Sequence, residues 1–413
     1  MLRFLYAILT YLMAPVLLLH LFWRSIGNPP YRQRIAERFG FVERRGTKPS
    51  IWVHAVSVGE VMASAALVRA LQERYPDRDL VLTTMTPTGS ARVVELFGDS
   101  VVHSYVPYDL ASAVRRFFDR MQPELVIIVE TEIWPNLFHE CGLRKIPLVI
   151  ASARISPKSV RRYRKVVGLF SETLSHGIVI AAQSQTDADR FRSLGAAPER
   201  IHVTGNIKFD FTVDPGVPTS GRGFRHEHAA DRPVWIAAST HADEEEIVLQ
   251  AHRKVLESIP EALLILVPRH PERFQLVAAL IDRTGFARVT RSSGRRCAPG
   301  TDVFLGDSMG ELMMLYAASD VAFVGGSLVP IGGHNLLEPA ALGLPVLTGP
   351  NTYNAPDIAE LLLAGGSAQV IDDAHGLAAQ VSLLLPDPDE RARRGSIGRR
   401  VVEDNRGTLE RVL

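Results

Sequence analysis

Residues 51–60 read Ile51-Trp52-Val53-His54-Ala55-Val56-Ser57-Val58-Gly59-Glu60. The first five are largely apolar with no alternation, which predicts a strand buried on both faces. Ser57-Val58-Gly59 then turns the chain, and Glu60 opens a helix that extends to about Tyr75. A strand of this kind belongs to a parallel sheet covered by helices on both sides. The same unit recurs outward from here. Leu80 to Thr84 is followed by Thr86-Pro87-Thr88-Gly89 opening a helix, and Leu125 to Glu130, Pro147 to Ala151 and Gly177 to Ala181 follow as further strands. Phe211 to Pro233 breaks the rhythm with three prolines and three glycines, and reads as a linker. The pattern restarts at Val234 to Ala238 and continues through Leu263 to Val267, Asp302 to Leu305, Val321 to Val324, Val346 to Thr348 and Gln369 to Ile371. The prediction is an α/β chain of two doubly wound, Rossmann-like domains facing a central cleft. Their expected bounds are residues 25–210 and 234–413, with 211–233 between them.

The start of the chain is different in kind. Phe4 to Trp23 carries no charged residue, and as a helix it would run ~30 Å. No small-x-small cleavage site follows, only Trp23-Arg24-Ser25-Ile26-Gly27, so residues 1–24 are expected to stay as a membrane anchor. Residues 24–48 then hold seven basic side chains against two acidic ones, which predicts that the body of the protein lies on the cytoplasmic face of a bacterial inner membrane. Over all 413 residues the formal charge is +1, so no global field favours nucleic acid and none is expected as a partner. Two isolated cysteines, Cys141 and Cys297, exclude a disulfide framework and fit a reducing compartment.

In doubly wound sheets ligands gather at the carboxyl ends of the strands, and the unusual residues of this chain fall there. Glu60 stands just after the first strand, either as a helix-start carboxylate that suits the macrodipole or as a general base kept ionised by it. Glu130 and Glu132, in Glu130-Thr131-Glu132-Ile133-Trp134-Pro135-Asn136, end an apolar strand, where a carboxylate needs a partner. Lys208, in Gly205-Asn206-Ile207-Lys208-Phe209-Asp210, is expected at the last strand end before the linker, facing the cleft; the plainer reading is a solvated lysine with a salt bridge. In the second half, Pro268 and Arg269 leave a strand toward His270-Pro271-Glu272-Arg273-Phe274, which aims a cation suited to phosphate. Met309, Gly310 and Glu311 lie in a strand-to-helix turn, and Gly332-Gly333-His334-Asn335-Leu336-Leu337-Glu338-Pro339 enters another helix. Backbone N–H groups at such turns hold anions, and Glu338 is placed to accept from ribose hydroxyls. Any one of these is explained by tight packing; several in one half-chain favour a nucleotide site.

No Walker lysine loop, dinucleotide glycine motif or H-E-x-x-H is present. Asp387-Pro388-Asp389 has the form of a metal-binding D-x-D but sits in a polar turn, so no metal site is expected. Arg154, Lys158, Arg161, Arg162, Arg164 and Lys165 form a second basic run without an acid, either a solvated helix face or a patch that grips lipid phosphates.

Together, the anchor, the stretch 52–60, the segment 130–136, the stretch 205–210, the segment 268–274 and the stretch 332–339 resemble the Kdo (3-deoxy-D-manno-oct-2-ulosonic acid) transferases of lipid A assembly. The resemblance covers nearly the whole chain. It implies a B-type glycosyltransferase fold, CMP-Kdo as donor and a lipid A precursor, lipid IVA, as acceptor. On that basis Glu60 is expected as catalytic base, with Glu130 and Lys208 supporting the transition state. CMP contacts are expected at Pro268, Arg269, Met309, Gly310, Glu311, Asn335, Leu336, Leu337 and Glu338. Glu60 would take the proton of a glucosamine hydroxyl as it attacks the anomeric carbon, and CMP would leave in one inverting displacement. A nucleoside monophosphate carries less charge than a diphosphate, so Arg269 and helix N-termini would hold it without a metal or other cofactor. The competing readings are another nucleotide-sugar enzyme on the same fold, such as an epimerase or a peptidoglycan-type glycosyltransferase, and a non-catalytic membrane scaffold that binds nucleotide.

Overall fold

Both halves of the chain build a seven-stranded, all-parallel sheet. The structure is a computed structural model and describes residues 2–43, 48–174 and 177–413; Arg44 and Arg45 of the first basic stretch lie outside these. The chain divides into two units, residues 1–211 with 405–413, and residues 212–404.

The first unit holds β1 (Ser50–His54), β2 (Asp79–Thr84), β3 (Val102–Tyr105), β4 (Pro123–Val129), β5 (Leu148–Ala153), β6 (Val179–Ala182) and β7 (Ile201–Val203). Their order across the sheet is β3-β2-β1-β4-β5-β6-β7. All five residues of β1 are buried, as its continuous apolarity requires: the strand is central and helices cover both faces. Trp52 is inaccessible and packs on Phe117 and Phe118 with ring centroids 4.5 and 5.5 Å away. The sheet changes direction of growth between β1 and β4, which makes the crevice beyond their carboxyl ends the expected ligand position.

The second unit holds β8 (Val234–Thr240), β9 (Leu263–Pro268), β10 (Arg288–Thr290), β11 (Val303–Leu305), β12 (Val321–Val324), β13 (Val346–Thr348) and β14 (Ala368–Val370). Their order is β10-β11-β9-β8-β12-β13-β14, with the corresponding switch between β8 and β12. β3, β7 and β10 were not predicted. Each is an edge strand of three or four residues containing polar side chains, such as Val102-His103-Ser104-Tyr105. An edge strand is not enclosed by neighbours on both sides, so nothing demands an apolar run there.

Two boundaries differ from the prediction. The stretch 211–233 is not an open linker: Val217–His228 forms a helix that starts with Pro218 in its first turn and packs within the second unit on the helix Leu312–Ala317. Phe224 supplies the apolar anchor, edge-on to Phe304 at 4.9 Å, and Gly221 and His228 complete the buried side of the helix. Residues 405–413 return to the first unit. There the Asp210 carboxylate accepts from the backbone N–H groups of Gly407 and Leu409 at 2.6 Å each, and Arg411 donates to the carbonyl of Thr204 at 2.7 Å. Leu409, Val412 and Leu413 add apolar contact to the core on that side of the sheet. Hydrophobic pattern alone does not say which of two cores a terminal helix joins.

Residues Leu2–Gly27 form one helix, α1, longer than the predicted run and with Pro15 inside it. It is long and apolar enough to cross a membrane by length and composition.

Candidate functional site

In the first unit Glu60, Glu130, Glu132 and Lys208 converge on the crevice beyond β1 and β4. The helix Val58–Arg74 begins at the turn after β1, so Glu60 lies in its first turn. The carboxylate reaches back to accept the N–H of Val56 on Oε2 at 2.6 Å, while Oε1 faces Ser57 Oγ at 3.4 Å. The helix dipole and these donors favour the charged form, as the sequence suggested, but they are outweighed. Burial first, and then the repulsion of Glu130, push its pKa up to about 8. A carboxyl group so placed is poised to exchange a proton near neutral pH.

Glu130 directly follows β4 with φ of 65°, a left-handed conformation that costs a non-glycine residue energy and sets the direction of its side chain. Its Oε1 accepts from Lys208 Nζ at 2.6 Å, with both side chains mostly enclosed. This pair resolves the cost of a carboxylate at the end of an apolar strand. Glu132 accepts from Trp134 Nε1 at 2.6 Å, and burial raises its pKa.

Lys208 is held by residues that the sequence reading passed over. Asn206 Oδ1 accepts the N–H of Lys208 at 3.0 Å, and Ser152 Oγ accepts that of Ile207 at 3.1 Å. Ser152, itself at φ of 55°, receives Gln183 Nε2 on its carbonyl at 3.0 Å. A polar Ser152 inside the otherwise apolar β5 was the available signal.

In the second unit the corresponding crevice lies beyond β8 and β12. Arg269 follows β9 and donates its backbone N–H to Thr240 at the end of β8 at 3.0 Å. Its positive charge opposes the rise that burial causes in the pKa of Glu338. Asn335 Nδ2 donates to Glu338 Oε1 at 3.1 Å, and Asn335 Oδ1 accepts the N–H of Leu337 at 3.1 Å. Pro268, Leu336 and Leu337 are buried, so their side chains are closed to a ligand. Met309 is exposed and Gly310 adopts φ of 83°. Glu311 is engaged by Arg291, with Nη2 to Oε1 at 2.7 Å, and that guanidinium holds its carboxyl below the usual range.

The sequence reading also missed a buried carboxylate and a group of histidines here. Glu244 is fully inaccessible and accepts four backbone N–H groups, from Gly326 at 2.7 Å, Leu328 at 2.9 Å, Ser327 at 3.1 Å and His241 at 3.2 Å. It fixes the glycine turn after β12. A Cβ on Gly325 would meet Glu244 Oε2 at 2.7 Å, which accounts for glycine at that position. His241 and His334 lie nearly coplanar and meet head to head, with centroids 5.1 Å and Nε2 atoms 2.8 Å apart, and His270 meets His241 edge-on at 5.2 Å. Burial, reinforced by His241 and Arg269, drives His334 down to about 3, so its ring is neutral and one Nε2 donates to the other; burial lowers His241 as well. His270 and His334 stood in stretches already singled out, whereas Thr240-His241 at the end of an apolar strand did not.

The second basic run divides. Arg154 is half-buried just past β5, where its carbonyl accepts from Thr131 Oγ1. Lys158, Arg161, Arg162, Arg164 and Lys165 are exposed on and just beyond the helix Pro157–Arg164.

Comparison with known proteins follows the same lines. Residues 33–211 match the family described as 3-Deoxy-D-manno-octulosonic-acid transferase (kdotransferase). A 3-deoxy-D-manno-octulosonic acid transferase of Haemophilus influenzae is 46% identical over 100% of this chain and 97% of its own length. One of Bordetella pertussis is 36% identical over 91% of this chain and 89% of its own. Among solved structures, a glycosyltransferase from Rickettsia africae superposes with a TM-score of 0.57 at 13% identity, covering 89% of this chain and 97% of that one. That likeness concerns the fold alone, and it agrees with the two-sheet B-type glycosyltransferase architecture.

Proposed function

The chain belongs to the 3-deoxy-D-manno-octulosonic-acid transferase family, and on that footing we propose that it moves Kdo from CMP-Kdo to a hydroxyl of a lipid A precursor such as lipid IVA. It is a glycosyltransferase, and the observation that carries our assignment of its chemistry is the Glu60 carboxylate, with its pKa near 8, beside the Glu130–Lys208 pair.

In this reading Glu60 Oε1 accepts the proton of the acceptor hydroxyl as its oxygen bonds the anomeric carbon of Kdo. The bond from that carbon to the CMP phosphate breaks, and its electron pair leaves with CMP. A single displacement of this kind inverts the anomeric centre. Lys208, oriented by Glu130, offers positive charge to the Kdo carboxylate or the departing phosphate. Donor contacts are assigned to Arg269, to the backbone of Pro268, Leu336 and Leu337, to the turn Met309-Gly310-Glu311, and to Asn335 and Glu338. Glu338 accepts from ribose hydroxyls. A monophosphate leaving group met by a guanidinium needs no resident metal in this scheme.

We place the enzyme at the cytoplasmic face of the bacterial inner membrane, held by α1. The exposed cations from Lys158 to Lys165 face anionic lipid and the phosphorylated acceptor. The test is direct: purified protein with CMP-Kdo and a tetraacylated lipid A precursor. Release of CMP with a product heavier by whole Kdo residues is expected, and the product mass counts how many are added. Binding of CMP without any such product overturns the proposal in favour of a scaffold.

A further inference from the structure

Helix α1 carries two opposite stripes. Arg3, Tyr6, Thr10, Ala14, Leu17, Leu21 and Ser25 are partly or fully covered by the body of the first unit. Their three- and four-residue spacing makes one continuous face. Leu5, Leu12, Leu19 and Trp23 lie on the other face, each 54–70% exposed.

Polar contacts fasten the amino-terminal half of the helix, and apolar packing holds its middle. Arg3 Nε lies 3.8 Å from Glu172 Oε1, Tyr6 OH donates to Asp109 Oδ2 at 2.9 Å, and Tyr11 OH donates to Ser112 Oγ at 2.8 Å. Ala14 and Leu17 pack on Tyr108, Leu110 and Ala113. From Arg3 to Ser25 the contact runs ~33 Å, the full thickness of a hydrocarbon core. If α1 crossed a bilayer in this arrangement, Asp109 and Glu172 would enter the hydrocarbon with it, where ionisable groups are costly.

Cations stand at both ends of the helix. Arg24 and Arg32 flank its carboxyl end. At its amino end Leu2 lies so close to Gly168 that a Cβ there would meet it at 3.0 Å. Gly168 lies just beyond the run Arg161 to Lys165, with exposed Val166 and Val167 between them. A spanning helix separates its two ends by a membrane; here both ends meet basic groups on one body.

We infer that α1 lies in the plane of a single leaflet, docked on the first unit, with the Leu5-Leu12-Leu19-Trp23 face among acyl chains and the cations at both ends among anionic headgroups. The enzyme is monotopic, and its whole chain stays on one side of the bilayer. This rests on the proposal above that α1 meets a membrane at all.

The two ideas are tested separately. Leu5, Leu12 and Leu19 are spaced by seven residues, within ~20° of two full turns, so they share a direction. Each is exposed and is replaced in turn by cysteine in the full chain, with Cys141 and Cys297 changed to serine, and spin-labelled. The protein is mixed with vesicles of phosphatidylcholine and phosphatidylglycerol, and nitroxide depth is read by relaxation. In-plane seating puts all three labels at one depth, about 5–10 Å below the headgroups. A spanning helix puts Leu12 ~10 Å deeper than the other two, and that profile overturns the inference while sparing the anchor. If the unlabelled protein fails to float with vesicles, or instead forms a dimer through this face, the membrane reading falls and the inference with it. Flotation with three equal depths upholds both.

Discussion

Replacing Glu60 by glutamine separates the base from its surroundings, because the amide keeps the shape and one acceptor oxygen for Val56 N–H while removing ionisation. Burial and Glu130 delay ionisation of the native carboxyl to about pH 8. In the unfolded chain it ionises near pH 4.5. The sign follows from linkage: a carboxyl whose folded pKa is raised contributes stability that is complete below the unfolded value and is lost as pH rises through about 8. For a fully enclosed group the ceiling would be ~5 kcal/mol, at ~1.4 kcal/mol per pH unit. The Glu60 side chain is half-buried, and solvent screening brings the expectation to about 1–2 kcal/mol. Glu60→Gln should therefore match the native protein near pH 4 and exceed it by pH 9, with a melting temperature higher by roughly 2–8 °C for the unit that carries it. Turnover should move the other way, falling about 10²-fold or more, with CMP affinity nearly unchanged. In the native enzyme kcat/KM should rise about tenfold per pH unit until the base is ionised near pH 8. Calorimetry at several pH values and steady-state CMP release measure the two effects. Melting curves that stay parallel across pH would show that Glu60 ionises normally, and native turnover in the variant would remove it as the base.

Four further outcomes are expected. Arg269→Ala should weaken CMP binding by about 1.5–3 kcal/mol through loss of a charge-assisted hydrogen bond, as read by titration calorimetry. Glu244→Gln should turn an amide N–H toward the donors of the turn after β12, destabilising the second unit by ~2–4 kcal/mol and lowering CMP affinity with it; unaltered melting would show that the turn does not depend on this carboxylate. Changing Arg161, Arg162 and Arg164 together to Glu should raise the acceptor KM much more than the donor KM. That effect should fade as salt screens exposed charge over ~8–10 Å, whereas untouched acceptor kinetics at low salt would leave a merely solvated helix face. Chelator should leave turnover intact, and a strict requirement for added magnesium would contradict the metal-free scheme.

The central strands were legible because enclosure on both faces leaves an unmistakable mark, a run such as Ile51 to Ala55 without alternation. The family was legible because residues that meet a substrate cluster in short, unusual stretches, 52–60, 130–136 and 332–339, which the chain displays in one dimension. Glu60 and Glu130 were visible for the same reason, as charges where apolar strands stop, and Lys208 was visible through the unusual stretch 205–210 that holds it. What holds them was not. Ser152, Asn206 and Gln183 are ordinary polar residues until β4, β5, β6 and the end of the first unit bring them around Lys208. Glu244 reads as one acid among three at a helix start until its carboxylate is seen accepting four backbone donors. The ionisation of Glu60 belongs to the same class: the helix start argued for a charged group, and burial beside Glu130 reversed the sign, because desolvation and repulsion depend on distance in space. The amino-terminal run shows the division most clearly. Its length and apolarity in the sequence establish a helix fit for a bilayer, whereas its direction follows from Arg3, Tyr6 and Tyr11 finding Glu172, Asp109 and Ser112 about a hundred or more residues away, contacts that exist only once the chain has folded.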